Sequence, residues 1–551
     1  MSQRHWKRRL LSAIAIATAA ISSNAHAQDT SGLEPTVLLV VQQGEGALTE
    51  PGPSPTAPSK PAATESIVQP ESDLAAPVVD ESTYAAPSYA SYGAPCNCCQ
   101  GGCCTKKKKE AAMAKMKGAY QGVFYANDYS YLNDPCYDGP SFFGDSLKGM
   151  LNGTLDVGGE ARVRYHSERN FRGLGPTGLG LTGNDDQFWL TRYRMFANWR
   201  LSENVRFYGE YLYADSGGET FNNRPIEENR GEAQNLFLEA KLTDNLSVRG
   251  GRQELLLGAQ RLVSCLDWAN TRRTFDGVRA TYANKDGSID AFYTHPVKRT
   301  FAYEDKWDST NQDVQFFGAY MTRKDTWLGQ WENYYLGLNN DVADFDYHTI
   351  GSRIVGKTDS NWMYEYEGGT QFGTNSDGTD HSAGFFTGGL GRQIALTKDW
   401  KPTVWFWYDY ASGGDDSLRG GDGFDHLFPL AHKYNGFMDL FGRRNLHDIN
   451  AQFITPFFGE KVKLLLWYHY FMLDEKTTPF DVVMNPYNTN NPAGDRELGH
   501  EIDVLFQIAL NPRNSALIGY SHFNSGKYYS TTAGVPDVDA DFFYFQYQMR
   551  F

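Results

Sequence analysis

Arginine recurs at alternate positions along this chain. Arg162 and Arg164 form one such pair and Arg192 and Arg194 another, while Arg200, Arg206 and Arg279 hold the polar parity of their own stretches, as do Lys461 and Lys463 late in the sequence. A spacing of two puts side chains on one face of a strand. The guanidinium suits carboxylates because its planar fork donates two parallel hydrogen bonds and keeps its charge. A row of such groups along a narrow wet channel offers successive weak sites to an anion, firm enough to admit it and divided enough to release it. Carboxylates share the same parity: Asp156, Glu160, Glu210, Glu239, Glu365, Glu367, Asp409, Glu501 and Asp503. These acids predict a second use for the arginines, as partners in braces across a lumen, and roughly half of them are expected in such pairs. Arg dominates early and the acids concentrate late, which predicts one basic and one acidic wall.

Enzyme chemistry finds less support. Ser521 and His522 are adjacent, so on a strand they point to opposite faces, which defeats activation of the serine. Glu365 and Glu367 share a face and have the residue types of a glycosidase pair, but in a charged lumen bracing is the simpler role. No phosphate-binding glycine loop and no zinc-spaced His pair is present. The chain is therefore expected not to be an enzyme and to need no cofactor and no metal. Seven cysteines include a cluster at Cys96, Cys98, Cys99, Cys103 and Cys104, with Cys136 and Cys265 apart. The cluster has no zinc spacing, and disulfides are the plainer expectation in an oxidising compartment. A net charge of −15 argues against nucleic acid as a partner. Any attraction for an anion must come from local placement of Arg and Lys.

The elements that must position these residues follow from periodicity. Leu155, Val157, Ala161, Val163 and Tyr165 alternate with Asp156, Glu160, Arg162, Arg164 and His166, and the next stretch repeats this around Arg192 and Arg194. Such alternation requires one apolar and one wet environment. Short turns, as at Ser202-Glu203-Asn204, Thr243-Asp244-Asn245 and Thr397-Lys398-Asp399, alternate with long loops at 167–187, 215–233, 412–447 and 473–498. This is the habit of outer-membrane barrels, and the walk gives about eighteen strands. Mean hydropathy is −0.52, and no apolar run after the first thirty residues reaches the roughly eighteen of a spanning helix. The end of the chain alternates Phe543, Phe545, Tyr547, Met549 and Phe551 with polar residues. It resembles the aromatic C-terminal strand by which the barrel-assembly machinery recognises its clients.

The predicted fold class is all-β: a transmembrane antiparallel barrel over 151–551, with a mostly disordered N-terminal extension. Residues 1–27 read as a cleaved signal peptide, with Arg4, Lys7, Arg8 and Arg9 before an apolar stretch and Ala25-His26-Ala27 at the cut. Residues 28–95 are a Pro/Ala/Ser-rich linker unable to bury a core. Residues 96–150 hold the cysteine cluster, a Lys run with a short helix around Glu110 to Met116, and an irregular periplasmic segment that leaves room for a periplasmic partner. The expected location is the outer membrane of a Gram-negative-type envelope, with lipid as a partner.

Two stretches resemble the alginate export family. One runs Gly251-Arg252-Gln253-Glu254-Leu255, Gly258, Gln260-Arg261-Leu262, Trp268, Asn270, Arg273 and Phe275-Asp276-Gly277-Val278-Arg279; the other runs Phe424-Asp425-His426-Leu427-Phe428-Pro429, His432-Lys433-Tyr434, Gly436, Asp439 and Asn445. The resemblance covers about residues 154 to 551. It implies an eighteen-stranded outer-membrane channel with an Arg-rich constriction, passing an alginate-like polyuronate or its oligomers. Arg252, Arg261 and Arg273 are then expected near the extracellular mouth or folded inward. The second stretch is too long for a hairpin and predicts a compact loop that plugs or gates the pore, with His432, Lys433 and Asp439 as its polar groups. Two other readings stand beside this one: an uptake porin for small anions or sugars, and an adhesive or envelope-anchoring barrel with a closed lumen.

Overall fold

The computed structural model describes residues 104–173, 180–299, 306–397, 400–414, 421–458 and 461–551. The signal peptide, the linker and Cys96, Cys98, Cys99 and Cys103 lie outside the described residues.

Eighteen antiparallel strands form one closed sheet: β1 (Leu155–Arg169), β2 (Asp186–Ser202), β3 (Val205–Gly217), β4 (Asn229–Lys241), β5 (Leu246–Gln253), β6 (Phe275–Asn284), β7 (Gly287–Pro296), β8 (Val314–Thr326), β9 (Gly329–Asn340), β10 (Phe345–Lys357), β11 (Trp362–Thr374), β12 (Asp380–Gln393), β13 (Thr403–Ala411), β14 (Leu446–Phe457), β15 (Val462–Met472), β16 (Glu497–Asn511), β17 (Asn514–Ser525) and β18 (Ala540–Arg550). Each strand pairs with its sequence neighbours, and β18 closes on β1 with Arg164 opposite Gln546. Phe551 extends the seam, exchanging backbone hydrogen bonds with Gly159 at 2.8 and 3.0 Å. Closure matters because no strand edge is left unpaired in lipid.

The burial pattern identifies the environment. Along β1 the charged positions are buried and the apolar ones are the more exposed, and β2 repeats this with Trp189, Tyr193 and Met195 outermost. A water-soluble sandwich shows the reverse. Trp, Tyr, Phe, Leu and Ile side chains cover the outside, from Trp189 and Ile289 to Ile350, Phe406, Ile449 and Ile502, as an outward apolar band in lipid requires. The short turns gather at the rim where β1 begins and β18 ends, which is the periplasmic rim of such barrels.

The described part of the N-terminal region begins with a helix and continues as a largely irregular segment. The helix is longer than the sequence suggests, α1 (Lys106–Lys117), capped by Thr105 and tied through the Cys104–Cys136 disulfide to the turn at 134–137. The residues after it enter the barrel from the periplasmic rim. Phe124 packs on Phe196, and Tyr125 packs edge-on against Tyr208 and Phe237. Arg194 and Arg249 lie over the Phe124 and Tyr125 rings at 4.0 and 4.3 Å. Arg206 donates to the Tyr125 carbonyl at 2.8 Å, and Arg513 donates to the Tyr131 hydroxyl at 2.6 Å. These aromatic side chains share one core with Met116 and Val123 of the segment, Leu256 and Cys265 of the β5–β6 connection and the inner wall of β2–β4.

Candidate functional site

Two inter-strand connections fold inward and fill the middle of the lumen: 254–274 between β5 and β6, and 421–445 between β13 and β14. They join to each other by backbone bonds, Phe428 N to Leu262 O at 2.9 Å, Ser264 N to Phe428 O at 2.8 Å and Leu430 N to Gln260 O at 2.9 Å. Their apolar side chains, including Leu266, Trp268, Leu430, Phe437 and Phe441, form one core with inward residues of the wall such as Trp467 and Tyr544. Gly258 permits the first turn: its φ is +50°, and a Cβ there would collide with the Tyr320 hydroxyl of the wall.

The β1–β2 wall meets this strap through arginines. Arg162 donates to the carbonyls of Asp267, Trp268 and Ala269 and to Asn270 Oδ1, at 3.0 to 3.4 Å. Arg164 donates to the Trp268 carbonyl at 3.1 Å and to Gln546 at 2.9 Å, and its guanidinium lies 3.3 Å from the centre of the Trp268 ring. Arg192 bridges Glu160 at 2.6 Å and Asp267 at 2.8 Å. Arg194 holds Glu210 at 2.6 Å. Nearer the periplasmic rim Arg200 pairs with Asp156 at 2.6 Å, and Arg206 with Glu239 at 2.7 Å. Arg279 pairs with Asp290 at 2.8 Å, and Arg252 with Asp276 at 2.9 Å and with Glu232. The braces therefore take more of these arginines than half. The carboxylates that make them come from neighbouring strands, so register rather than parity decides which Arg is neutralised.

Arg261 and Arg273 both fold inward with the strap. Arg261 meets Glu367 at 2.9 Å, and also Glu365, through Nη1 alone, so its Nε and Nη2 have no hydrogen-bond partner among the described residues. Arg273 donates to the Ser264 and Pro429 carbonyls. Lys463 keeps the inward parity of β15, whereas Lys461 sits in the exposed turn before it and is not part of the wall. The polar groups of the second connection are buried within the strap. His432 is stacked between Trp268 and Phe437 at 4.8 and 4.5 Å and bonded to Asp439 at 2.9 Å; Lys433 donates to Ala259 O at 3.4 Å.

The β14–β16 wall, three to five strands round the barrel from Arg162 and Arg164, is acidic, with Asp448, Glu501 and Asp503 around His469, which bonds Asp448 at 2.8 Å. Ser521 points inward to Asp503 at 2.5 Å while His522 points outward to Asp541 at 2.8 Å, so the two do not pair. Among the described residues no group of His, Cys, Asp and Glu is arranged to hold a metal ion. Several buried arginines escaped the sequence reading. Arg353 bonds Glu332 at 2.7 Å and Glu365 at 3.0 Å, and Arg443 bonds Asp409 at 2.8 Å. Arg172 and Arg224 share Glu227 at 2.7 Å each. Arg249 and Arg353 carry the same alternating parity that singled out Arg192, so that signal was present for them; Arg172, Arg224 and Arg443 lie in loops, where parity says nothing.

Residues 154–540 match the family described as alginate export. The chain belongs to the alginate export family. Solved structures with a similar fold include the OccK8 (OprE) protein of Pseudomonas aeruginosa, at 13% identity and a TM-score of 0.48 over 72% of this chain and 98% of that one. Others are Pseudomonas aeruginosa OpdK, solved with vanillate, at 10% and 0.49 over 72% and 99%, and a BenF-like porin from Pseudomonas fluorescens Pf-5, at 11% and 0.49 over 72% and 98%. Among curated protein sequences none matches the chain. Family membership and the inside-out barrel make this protein an outer-membrane channel in contact with lipid.

Proposed function

We propose that this alginate export family channel passes an anionic polysaccharide, an alginate-like polyuronate or its oligomers, through the arginine-lined lumen. The observation that carries the reading is the way Arg162 is held at the level of the strap. Its charge meets backbone carbonyls and an amide, with no carboxylate of the described residues within ion-pair distance. Carbonyl dipoles take the hydrogen bonds of its two Nη groups without cancelling its charge, so a net positive field stays in a site shielded from water, where a passing carboxylate feels it most strongly. Arg261 adds buried donors without partners. Such donors are costly when left unmade, so a carboxylate that reaches them is stabilised. The arginines that are paired in braces, Arg192, Arg194, Arg200 and Arg206 among them, keep the wall rigid around these two.

Planar-bilayer conductance of the refolded full chain, with and without polyuronate, tests this. Wild type is expected to prefer anions and to be blocked by polyuronate. Arg162→Gln keeps hydrogen-bonding capacity and removes the charge, and is expected to weaken both effects several-fold. A barrel that conducts without anion preference and ignores polyuronate would place the protein with the small-solute porins.

A further inference from the structure

The geometry points to a uronate-binding subsite on the inner wall of β13, in which Trp405 and Trp407 take the flat faces of sugar rings and Arg261 takes the carboxylate. This rests on the polysaccharide reading above and adds a place to it.

The inner wall carries many aromatic side chains, and nearly all are buried against the strap or the N-terminal segment: Phe188, Phe196, Tyr208, Phe237, Phe316, Tyr334, Trp467 and Tyr544 among them. Trp405 and Trp407 differ. They have the inward parity of Asp409, while Phe406 and Tyr408 face lipid, and both stay only partly buried, although Trp405 packs in part against the core of the strap. Their rings are near parallel, 19° apart, with centroids 4.8 Å from each other. They lie back over β12, where Gly389 and Gly391 face them. A Cβ at Gly389 would come within 2.2 Å of the Trp407 ring, and one at Gly391 within 2.3 Å of Trp405, so any side chain there would push the indoles off the wall. The neighbouring strand is thus cleared at the two positions that let the rings rest against it.

Position along the barrel supports the same role. β13 rises from a periplasmic turn, so Trp405 is the lower ring and Trp407 the upper. The N-terminal segment fills the periplasmic mouth on the β2–β5 side, and the β13 wall lies away from it. Arg261 lies 5.6 Å from the Trp407 ring and 4.2 Å from that of Tyr434. A ring carrying a carboxylate on this platform therefore lies beside a guanidinium that is buried and paired with Glu365 and Glu367 through Nη1 alone, its Nε and Nη2 having no partner among the described residues. Pyranose faces present C–H groups, which pack on indole faces as other apolar groups do. A small inorganic anion has no such face, and a neutral sugar has no carboxylate.

Calorimetric titration of the detergent-solubilised full chain with a short oligouronate and with a neutral oligoglucan of equal length decides the matter, with the mobility shift on heating as the check that each barrel is folded. Trp405→Ala/Trp407→Ala is expected to weaken oligouronate binding about ten-fold. Trp405→Phe/Trp407→Phe, which keeps a flat face, should recover most of it. Gly391→Val, which displaces a ring without removing it, should weaken binding in the same direction. Wild type is expected to bind the oligoglucan more weakly than the oligouronate. Equal oligouronate affinity in wild type and the double Ala variant overturns the subsite and leaves the polysaccharide reading standing. Absence of oligouronate binding to wild type overturns both.

Discussion

At the scale of single residues, chemical partners separate arginines that the sequence presents as equivalent. Arg192 and Arg162 both belong to the alternating rows, but Arg192 is clamped between Glu160 and Asp267 while Arg162 holds carbonyls. Removing Arg192 takes the close cation from buried Glu160 and leaves Asp267 to Arg272 alone. Arg192→Ala is therefore expected to destabilise the barrel by about 3–5 kcal/mol, read as a lower midpoint in urea unfolding from lipid vesicles. Pairing Arg192→Met with Glu160→Gln should recover part of that loss. An Arg192→Ala barrel as stable as wild type would show that the brace contributes little. Parity along β1 and β2 made both residues legible as inward-facing. Nothing in the sequence near Arg162 reveals that the carbonyls of residues 267–269, about a hundred positions away, are its partners.

At the scale of elements, the inward segments hold the lumen in its present state. The N-terminal segment is anchored by Phe124 and Tyr125 against Phe196, Tyr208 and Phe237. Truncating such a buried ring costs about 3–5 kcal/mol, and the backbone around it has little regular structure to fall back on. Phe124→Ala/Tyr125→Ala is expected to expose residues 119–147 to protease and to raise the time the channel spends open, with the barrel itself intact. Unchanged protection would mean that the arginine contacts alone hold the segment. On the extracellular side, the loop between β15 and β16 is laced to the strap, with Tyr487 stacked on Phe441 and Gly442 N bonded to Phe480 O at 2.8 Å. Asp481 in that loop is buried, and burial pushes its carboxyl up to about 7. Its folded value lies above that of an unfolded Asp, about 3.9. The native state thus binds more protons between these values, and the contribution to stability falls as pH rises from about 4 to 7. Hydrogen exchange in 473–496 should accordingly be faster at pH 7.5 than at pH 5 beyond its intrinsic pH dependence. Asp481→Asn should remove that excess.

At the scale of the whole molecule, the barrel is defined by which face meets lipid. Ile502 lies on the outward face of β16 and is 46% exposed, while its neighbours Glu501 and Asp503 are fully buried. Ile502→Arg is expected to cost about 2–4 kcal/mol if it lies near the bilayer midplane, measured by folding titration into vesicles. A neutral outcome would place Ile502 near an interface or on a wet surface. The long strap between β13 and β14 and the N-terminal segment account for why a barrel of this size has a filled interior.

The sequence alone determined the strand period, the turn order, a count of about eighteen strands and the inward parity of Arg162, Arg164, Arg192 and Arg194, because alternation is local and a barrel repeats it with every strand. The length of the second family stretch also pointed to a compact loop rather than a hairpin between β13 and β14. Tertiary structure decided what local pattern cannot carry. Cross-strand register matched Arg194 to Glu210 and Arg206 to Glu239. The fold of 254–274 brought Arg261 to Glu365, Glu367 and Trp407. The irregular run Phe124, Tyr125, Tyr129 and Tyr131 gave no period to read, and only the presence of an unfilled aromatic wall inside the barrel drew it in. Contacts between residues a hundred or more positions apart depend on the shape of the closed barrel, and that shape exists only once all the strands have paired.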